Sequence, residues 1–292
     1  MALGGRILTW YEGKWHEGNA PIIGAADHVA WLGTQVFDGA RQFEGVRPDL
    51  HLNCERIVAS AHTMGLISPV TAEEVFALCE EGCALFADGT PVYIRPMMWA
   101  KEGTPGIIDP DPESTGFAIC LEEYPIPEIG NFALGVSEFR RPRQDMALTT
   151  AKAGSLYANN GRIMADARRR GFNNALSLDI EDNVAETAST NVFTVRDGEV
   201  FTPIPNGTFL NGLNRQRVIK LLRADGYQVH EVAMRLEDFD QADEIFCTGN
   251  IAKIMPVDRY LDRKMPHYPT ALKVKQLYWD FAHSRFDKEA VA

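Results

Sequence analysis

The chain has 292 residues, 45% apolar and 24% charged, a balance ordinary for a globular enzyme and long enough for one large domain or two modest ones. Its formal net charge of −11 argues against a nucleic-acid binder, which needs a basic stripe. No apolar run reaches the roughly 18 residues of a membrane span, and the opening MALGGRILTWYEGKW has no apolar signal core, so a cytoplasmic location is expected.

In chain order, RILTWYEGKWHEG reads as a hairpin turning at Glu12-Gly13. GTQVFDGARQFEG, from Gly33 to Gly45, mixes aromatics, β-branched residues and glycines as paired strands do. CERIVASAHTMGL is a predicted helix with Ile57, Ala61 and Met64 on one stripe. TAEEVFALCEEGCALFADG is a second, with Thr71 as N-cap and Glu74 completing a capping box. PVYIRPMMWA and TGFAICLEE are predicted strands. Pro125 and Pro127 mark a linker, which divides the chain into an N-terminal domain over 1–124, a linker over 125–131 and a C-terminal domain over 132–292.

Beyond the linker, FALGVSEFRR is a predicted strand and LYANNGRIMADARRRGF a helix with Arg168 to Arg170 in its last turn. NALSLD, TNVFTVRDG, EVFTPI, YQVHEVAM, DEIFCTGN and AKIMPV read as strands. NRQRVIKLLRADG is an amphipathic helix closed by Gly226, and PTALKVKQLYWDFAHSRF a terminal helix. There is no internal repeat. Strands outnumber crossover helices, which points to two α+β domains and not to a regular βαβ alternation.

Five cysteines, Cys54, Cys79, Cys83, Cys120 and Cys247, are scattered without a CxxC pair and read as free thiols. The histidines form no metal-spaced pair, and G-x-S-x-G, H-E-x-x-H and a strand-borne G-x-G-x-x-G are all missing, so metal catalysis and a serine triad are poor expectations.

Lys152 stands out in MALTTAKAGSLY, where Tyr157 is the one other ionisable residue between Met146 and Tyr157. Among small uncharged neighbours an ammonium loses hydration; its pKa is expected to fall, and the neutral amine becomes a nucleophile toward carbonyls. The alternative is a surface lysine in a small-residue loop. Glu186, in NVAETASTNVF, is either a turn acid or a partly buried carboxylate suited to a pyridinium nitrogen. Gly212 precedes a helix start at Leu213–Asn214, whose free N–H groups suit an anion, and CTGN (Cys247 to Asn250) is a second phosphate-sized turn. Arg56 is placed to add a charge-assisted bond. Tyr93 and Arg95 lie two apart on one strand face, as do Phe37, Gly39 and Arg41; these arginines need an acid or an anionic ligand.

Taken together, the ordered set VFDGAR, ERIVASA, VYIRP, AKAGSLY, RRRGF, ALSLD, VAETASTNVF, LNGLNR and CTGN…KIMPV resembles the class IV pyridoxal-phosphate aminotransferases across nearly the whole chain. The resemblance is greatest to their branched-chain amino-acid subgroup. It implies an α+β fold of two domains, a small N-terminal one and a larger C-terminal one with the cofactor between them, and a homodimer or larger homo-oligomer. It makes Lys152 the lysine that binds pyridoxal 5'-phosphate as a Schiff base and moves the proton, Glu186 the acid facing the pyridine nitrogen, and Tyr157 the partner of the phenolic oxygen. Arg56, the backbone of Leu213 and Asn214, and Asn250 are implied to hold the phosphate, with Leu210, Gly212 and Gly249 shaping the two turns. Phe37, Gly39, Arg41, Tyr93, Arg95 and Ile251 are implied substrate residues, Arg95 taking the distal carboxylate of glutamate.

The resemblance implies transfer of the amino group of L-leucine, L-isoleucine or L-valine to 2-oxoglutarate. Leu32, beside Trp31, stands where the subgroup carries an aromatic; Asn214 and Asn250 replace hydroxyl residues, and EGTPGII replaces a more glycine-rich loop. These departures touch the substrate and leave the cofactor assignment intact. A D-amino-acid or (R)-amine transaminase and aminodeoxychorismate lyase are the alternatives within the family, and a catalytically silent binding protein the alternative outside it. Arg95 with Tyr93 speaks against the amine enzymes.

Overall fold

In the computed structural model, residues 5–284 are described. The chain divides into two units, one built from 1–126 and 144–158, the other from 127–143 and 159–292. The first break falls inside the expected linker. The stretch 144–158, expected in the C-terminal domain, belongs instead to the first unit. Its main chain is the reason: Ala153 bridges to Val36, the Lys152 carbonyl accepts from the Phe37 N–H at 3.1 Å, and the Lys152 N–H donates to Ser60 Oγ at 3.1 Å.

The first unit holds β1 (Ile7–Tyr11), β2 (Lys14–Glu17), α1 (His28–Leu32), β3 (Gln35–Phe37), β4 (Ala40–Gln42), α2 (Leu50–Thr63), α3 (Ala72–Cys83), β5 (Val92–Ala100) and β6 (Thr115–Glu123). Glu12 and Gly13 both take positive φ (49° and 80°), the two-residue turn that matches strand twist, and Tyr11 pairs with Lys14 across it. The sheet runs β2-β1-β6-β5-β3 and is antiparallel throughout, with β4 also on β5. Thus β3 and β4 are paired strands as expected, and their shared partner is β5. Both lie on β5, because Asp38 interrupts them: its N–H bonds the Pro96 carbonyl while its carboxylate accepts from Gly39 N–H at 2.7 Å.

The expected capping box on α3 is present, Thr71 Oγ1 accepting from Glu74 N–H and Glu74 Oε2 from Thr71 N–H. Helix α2 starts at Leu50, earlier than the expected Cys54, after Asp49 in a left-handed conformation. The two helices cover one face of the sheet. Val36, Ala40, Val92, Ile94, Met98, Ile119 and Leu121 meet Cys54, Ile57, Ala61, Val75, Cys79 and Cys83 in that core. Period-two alternation then leaves Phe37, Arg41, Tyr93, Arg95 and Met97 on the other face.

The second unit holds β7 (Ala133–Val136), most of α4 (Tyr157–Arg169), β8 (Asn174–Leu178), β9 (Val184–Thr187), β10 (Asn191–Arg196), β11 (Glu199–Pro203), α5 (Leu213–Ala224), β12 (Val229–Val232), α6 (Leu236–Asp240), β13 (Glu244–Gly249), β14 (Lys253–Pro256), β15 (Arg259–Tyr260), β16 (Arg263–Lys264) and α7 (Pro269–His283). Arg285 and Phe286, at the end of the expected terminal helix, lie outside the described residues. One sheet runs β12-β11-β10-β13-β14, the other β16-β15-β7-β8-β9. Parallel pairs β7–β8 and β11–β12 are joined through α4 and α5, the few crossovers the pattern allowed. Strand β7 is shorter than expected because Ser137 Oγ accepts from Phe139 N–H and turns the chain. Leu134, Leu176, Val184, Val192, Phe239, Ile245, Cys247 and Tyr260 form the core of this unit.

The five cysteines are free, as expected for their spacing. Burial pushes the Cys247 thiol up to about 12. Among the described residues no cluster of His, Cys, Asp or Glu has metal-holding geometry, and no helix is long and apolar enough to cross a membrane.

Candidate active site

In the first unit the candidate residues gather around Lys152. The segment lies beside β3 and then winds through a 3-10 turn, Gly154–Leu156, into α4, whose first residue is Tyr157. Ala151 and Ala153 are buried on either side, which fixes the lysine's backbone and leaves its side chain to project. Lys152 Nζ donates to Tyr157 Oη at 2.5 Å and lies 4.7 Å from the centroid of the Phe37 ring and 5.1 Å from that of Tyr157. Phe37 and Tyr157 meet edge to face at 4.8 Å. The Nζ thus lies over two aromatic rings. Burial pushes the Tyr93 hydroxyl up, with Lys152 and Arg95 opposing it.

Arg41 and Tyr93 are cross-strand partners on β4 and β5. The Arg41 side chain is fully buried, with Nη2 donating to the Tyr124 carbonyl at 2.7 Å. Its Nε and Nη1 have no hydrogen-bond partner among the described residues. Burial pulls its guanidinium down to about 10, against Tyr124 and Tyr93. Arg95 lies 5.3 Å from the Tyr93 ring and pairs with Glu122 at 3.1 Å on β6; its buried Nε has no partner among the described residues. Arg95 and Glu122 line a cleft of about 380 Å³ walled by Ile7, Ile22 and Met97. Leu32 ends α1, and Trp31 beside it is 56% exposed.

Arg56, on α2, makes a two-pronged ion pair with the buried Asp38, Nε to Oδ2 at 2.7 Å and Nη2 to Oδ1 at 2.8 Å. Asn53 Nδ2 adds a bond to the same carboxylate and another to the Gly39 carbonyl. Burial alone pulls the Arg56 guanidinium down, but Asp38 outweighs it and holds it above its ordinary value. Asp38 is therefore the residue that aims Arg56. It lies inside VFDGAR, where the alternation of Phe37, Gly39 and Arg41 draws attention away from it.

In the second unit Glu186 sits on β9, not in a turn, opposite Ser177 on β8. It is buried and paired with Arg141, whose Nη2 lies 3.0 Å from Glu186 Oε1. Arg141 Nη1 donates to Asn160 Oδ1 at 2.6 Å and its Nε to the Thr208 carbonyl at 3.2 Å, so all three guanidinium nitrogens are bonded. Asn191 Nδ2 reaches Glu186 Oε2 at 3.3 Å and the Leu210 carbonyl at 3.0 Å, while its Oδ1 accepts from Gly212 N–H at 3.2 Å. One asparagine therefore ties the acid to the loop that opens α5. A Cβ at Gly212 would sit 2.3 Å from Asn191 Oδ1, and one at Gly249 would sit 2.7 Å from Thr190 Cγ2. Both turns require glycine for that close approach.

Gly212 is the N-cap of α5, whose first turn begins at Leu213 and Asn214. Asn214 Oδ1 accepts from Tyr278 Oη at 3.1 Å, and Asn250 Oδ1 from Lys253 Nζ at 2.9 Å. Ile251 follows Asn250 in the turn and is exposed. Asp179, the last residue of ALSLD, accepts from Glu181 N–H, Asn183 N–H, Asn183 Nδ2 and Asn206 Nδ2, which shapes the turn leading into β9.

Arg141, Asn191, Lys253, Tyr278 and Glu122 were not reached from the sequence. Arg141 had a faint signal as a charged residue ending an expected strand. Within each unit the arrangement offers a different chemistry: an amine on aromatic faces in one, a braced carboxylate and a glycine-lined helix start suited to an anion in the other.

A family model described as amino-transferase class IV matches residues 35–260. The solved structure of an aminotransferase from Brucella abortus bound to the cofactor PLP is 49% identical, with a TM-score of 0.95 over 96% of this chain and 100% of that one. A probable branched-chain-amino-acid aminotransferase of Rickettsia bellii is 28% identical over 252 residues, 85% of this chain and 86% of the relative. The branched-chain-amino-acid aminotransferase of Escherichia coli K12 is 28% identical over 261 residues, 85% of this chain and 83% of the relative. With the match running over most of its length, the chain belongs to the class IV aminotransferases.

Proposed function

We propose that this aminotransferase uses pyridoxal 5'-phosphate to move the amino group of branched-chain L-amino acids to 2-oxoglutarate. The observation that carries the reading is Lys152: backbone fixed at N–H and carbonyl, Nζ on two aromatic rings and 2.5 Å from Tyr157 Oη. The residues fit the cofactor, since a helix start with a glycine that tolerates no Cβ, a braced carboxylate and a poised amine match its phosphate, ring nitrogen and aldehyde in chemistry. When bound, it supplies a carbonyl that captures the amino group and a ring that takes up electron density.

Lys152 Nζ would accept the proton from the substrate's α-carbon and deliver it to the carbon supplied by the cofactor's aldehyde, with Tyr157 Oη 2.5 Å from the amine. Glu186, kept in place by Arg141 and Asn191, would face the ring nitrogen and favour its protonated form. Gly212, Leu213, Asn214, Gly249 and Asn250 receive the phosphate, Leu210 closes the loop through Asn191, and Arg56 adds charge from its Asp38 clamp. Phe37, Gly39, Arg41, Tyr93, Arg95 and Ile251 orient the substrate, and the distal carboxylate of the acceptor competes with Glu122 for Arg95. A homo-oligomer is part of this reading, which sedimentation tests.

The experiment is a panel of L- and D-amino acids with 2-oxoglutarate, run on the cofactor-loaded protein and on Lys152→Ala. Leucine, isoleucine and valine are expected to lead. Lys152→Ala is expected to lose turnover by about 10³-fold or more and to show no visible band with added pyridoxal phosphate. A D-amino acid outpacing L-leucine, or pyruvate released from aminodeoxychorismate without an acceptor, moves the chain to another branch of the family.

A further inference from the structure

The two asparagines of the proposed phosphate turns raise a problem of chemistry. An anion accepts hydrogen bonds and needs donors. A hydroxyl rotor donates in any direction, whereas an asparagine carries a donor on one branch and an acceptor on the other. If its amide turns the wrong way, it presents a carbonyl to the phosphate. Something must fix the orientation.

Lys253 is only 2% exposed although it carries a charge. It takes a left-handed backbone (φ 62°) opposite Gly249 across the turn that holds Asn250. That conformation is uncommon for a residue with a side chain. The ammonium bonds Asn250 Oδ1 at 2.9 Å and lies 5.8 Å from the centroid of the Tyr278 ring. An ammonium only donates, so the atom it meets must be the asparagine oxygen. Tyr278, itself fully buried on α7, gives its hydroxyl hydrogen to Asn214 Oδ1 at 3.1 Å. Each asparagine oxygen is therefore held by a buried donor, and each Nδ2 is turned away from that donor.

We propose that Lys253 and Tyr278 are positioning residues that lock the side-chain amides of Asn250 and Asn214 with their N–H groups toward the cofactor's phosphate. This rests on the pyridoxal-phosphate reading above. It explains how amides serve at two positions where a hydroxyl would need no such support.

The test titrates apoprotein with pyridoxal phosphate and, separately, with pyridoxal, which lacks the phosphate, reading the visible band. Lys253→Met is expected to weaken pyridoxal phosphate by about 10–100-fold, the size of one misdirected charge-assisted bond, and to change pyridoxal by less than about twofold. Adding Asn250→Thr to Lys253→Met is expected to restore the phosphate form to within about threefold, because a hydroxyl orients itself. Tyr278→Phe with and without Asn214→Thr is the second arm, with the same pattern at smaller size; it carries the test if Lys253→Met does not fold. Unchanged phosphate binding, equal loss for both ligands, or no rescue by threonine overturns the proposal. A wild-type protein that binds neither ligand overturns the cofactor reading and this proposal with it, whereas a wild type with a normal band and unaffected variants sinks the positioning role alone.

Discussion

Arg41 and Arg141 are both buried arginines, one in each unit, and they are treated in opposite ways. Arg141 is 4% exposed, and its three nitrogens bond Glu186, Asn160 and the Thr208 carbonyl. Arg41 is fully buried, yet only Nη2 has a partner, and Nε and Nη1 have none among the described residues. An unsatisfied buried donor costs about 1–3 kcal/mol. Arg141 is thus satisfied by residues of its own unit, while Arg41 keeps donors of the kind an anionic ligand would satisfy. Arg95 Nε, also buried and without a partner among the described residues, belongs to the same open set. A rigid, satisfied network suits a cofactor that stays; an open one suits substrates that come and go, because their arrival repairs a deficit.

The sharpest way to break this contrast is Arg141→Met. It removes the ion pair that Glu186 Oε1 makes in the interior and leaves in place the bond from Asn191 Nδ2 to Oε2 at 3.3 Å. Removing one partner of a buried pair costs about 3–5 kcal/mol, so the melting temperature is expected to fall by roughly 5–15 °C. Differential scanning calorimetry reads it directly. An unchanged melting point would show that Glu186 does not depend on its arginine, and the distinction between the two units would collapse.

Asp179 sharpens the same point with pH. Burial alone pushes its carboxyl up, but hydrogen bonds from Asn183, Glu181 and Asn206 outweigh burial and hold it below its ordinary value. A lowered carboxyl contributes stability above the unfolded value of about 3.9 and loses it as pH falls through the lower folded value. Asp179→Asn is therefore expected to cost about 1–3 kcal/mol near pH 7. The gap to the parent closes in acid below about pH 4. A gap that stays constant with pH would mean that shape, and not charge, holds the turn.

What the sequence shows of this molecule follows from how local each cause is. The Glu12-Gly13 turn, the Thr71–Glu74 box and the alternation of β5 are written within a few residues, and all three stand as read. Lys152 stands out in the sequence for the small residues beside it, but one of the rings its Nζ meets, that of Phe37, lies far away in the chain. Arg141 and Glu186 lie 45 positions apart, and Tyr278 and Asn214 lie 64 apart, and no periodicity links such pairs. The strand under Glu186 was missed because four residues between a turn and another turn leave no room for a pattern. Asp38 was hidden differently: the residues either side of it formed a convincing alternation, and its own role appears only with Arg56 across the α2 packing.

Arg41→Met is the smallest perturbation to the fold and the most direct test of the open set. The substitution removes one bond to the Tyr124 carbonyl and two unpartnered donors, and replaces a desolvated charge with a flexible apolar chain of similar reach. Replacing a buried charge by an apolar side chain is often neutral or stabilising. The melting temperature is thus expected to stay within about 2 °C of the parent or to rise, in contrast to Arg141→Met. If the orphaned donors exist for a substrate carboxylate, KM for the amino donor rises by about tenfold or more while the cofactor band is unchanged. A fall in melting temperature as large as that of Arg141→Met, with KM unmoved, would make Arg41 a structural arginine and remove the reason for calling that face of the sheet open.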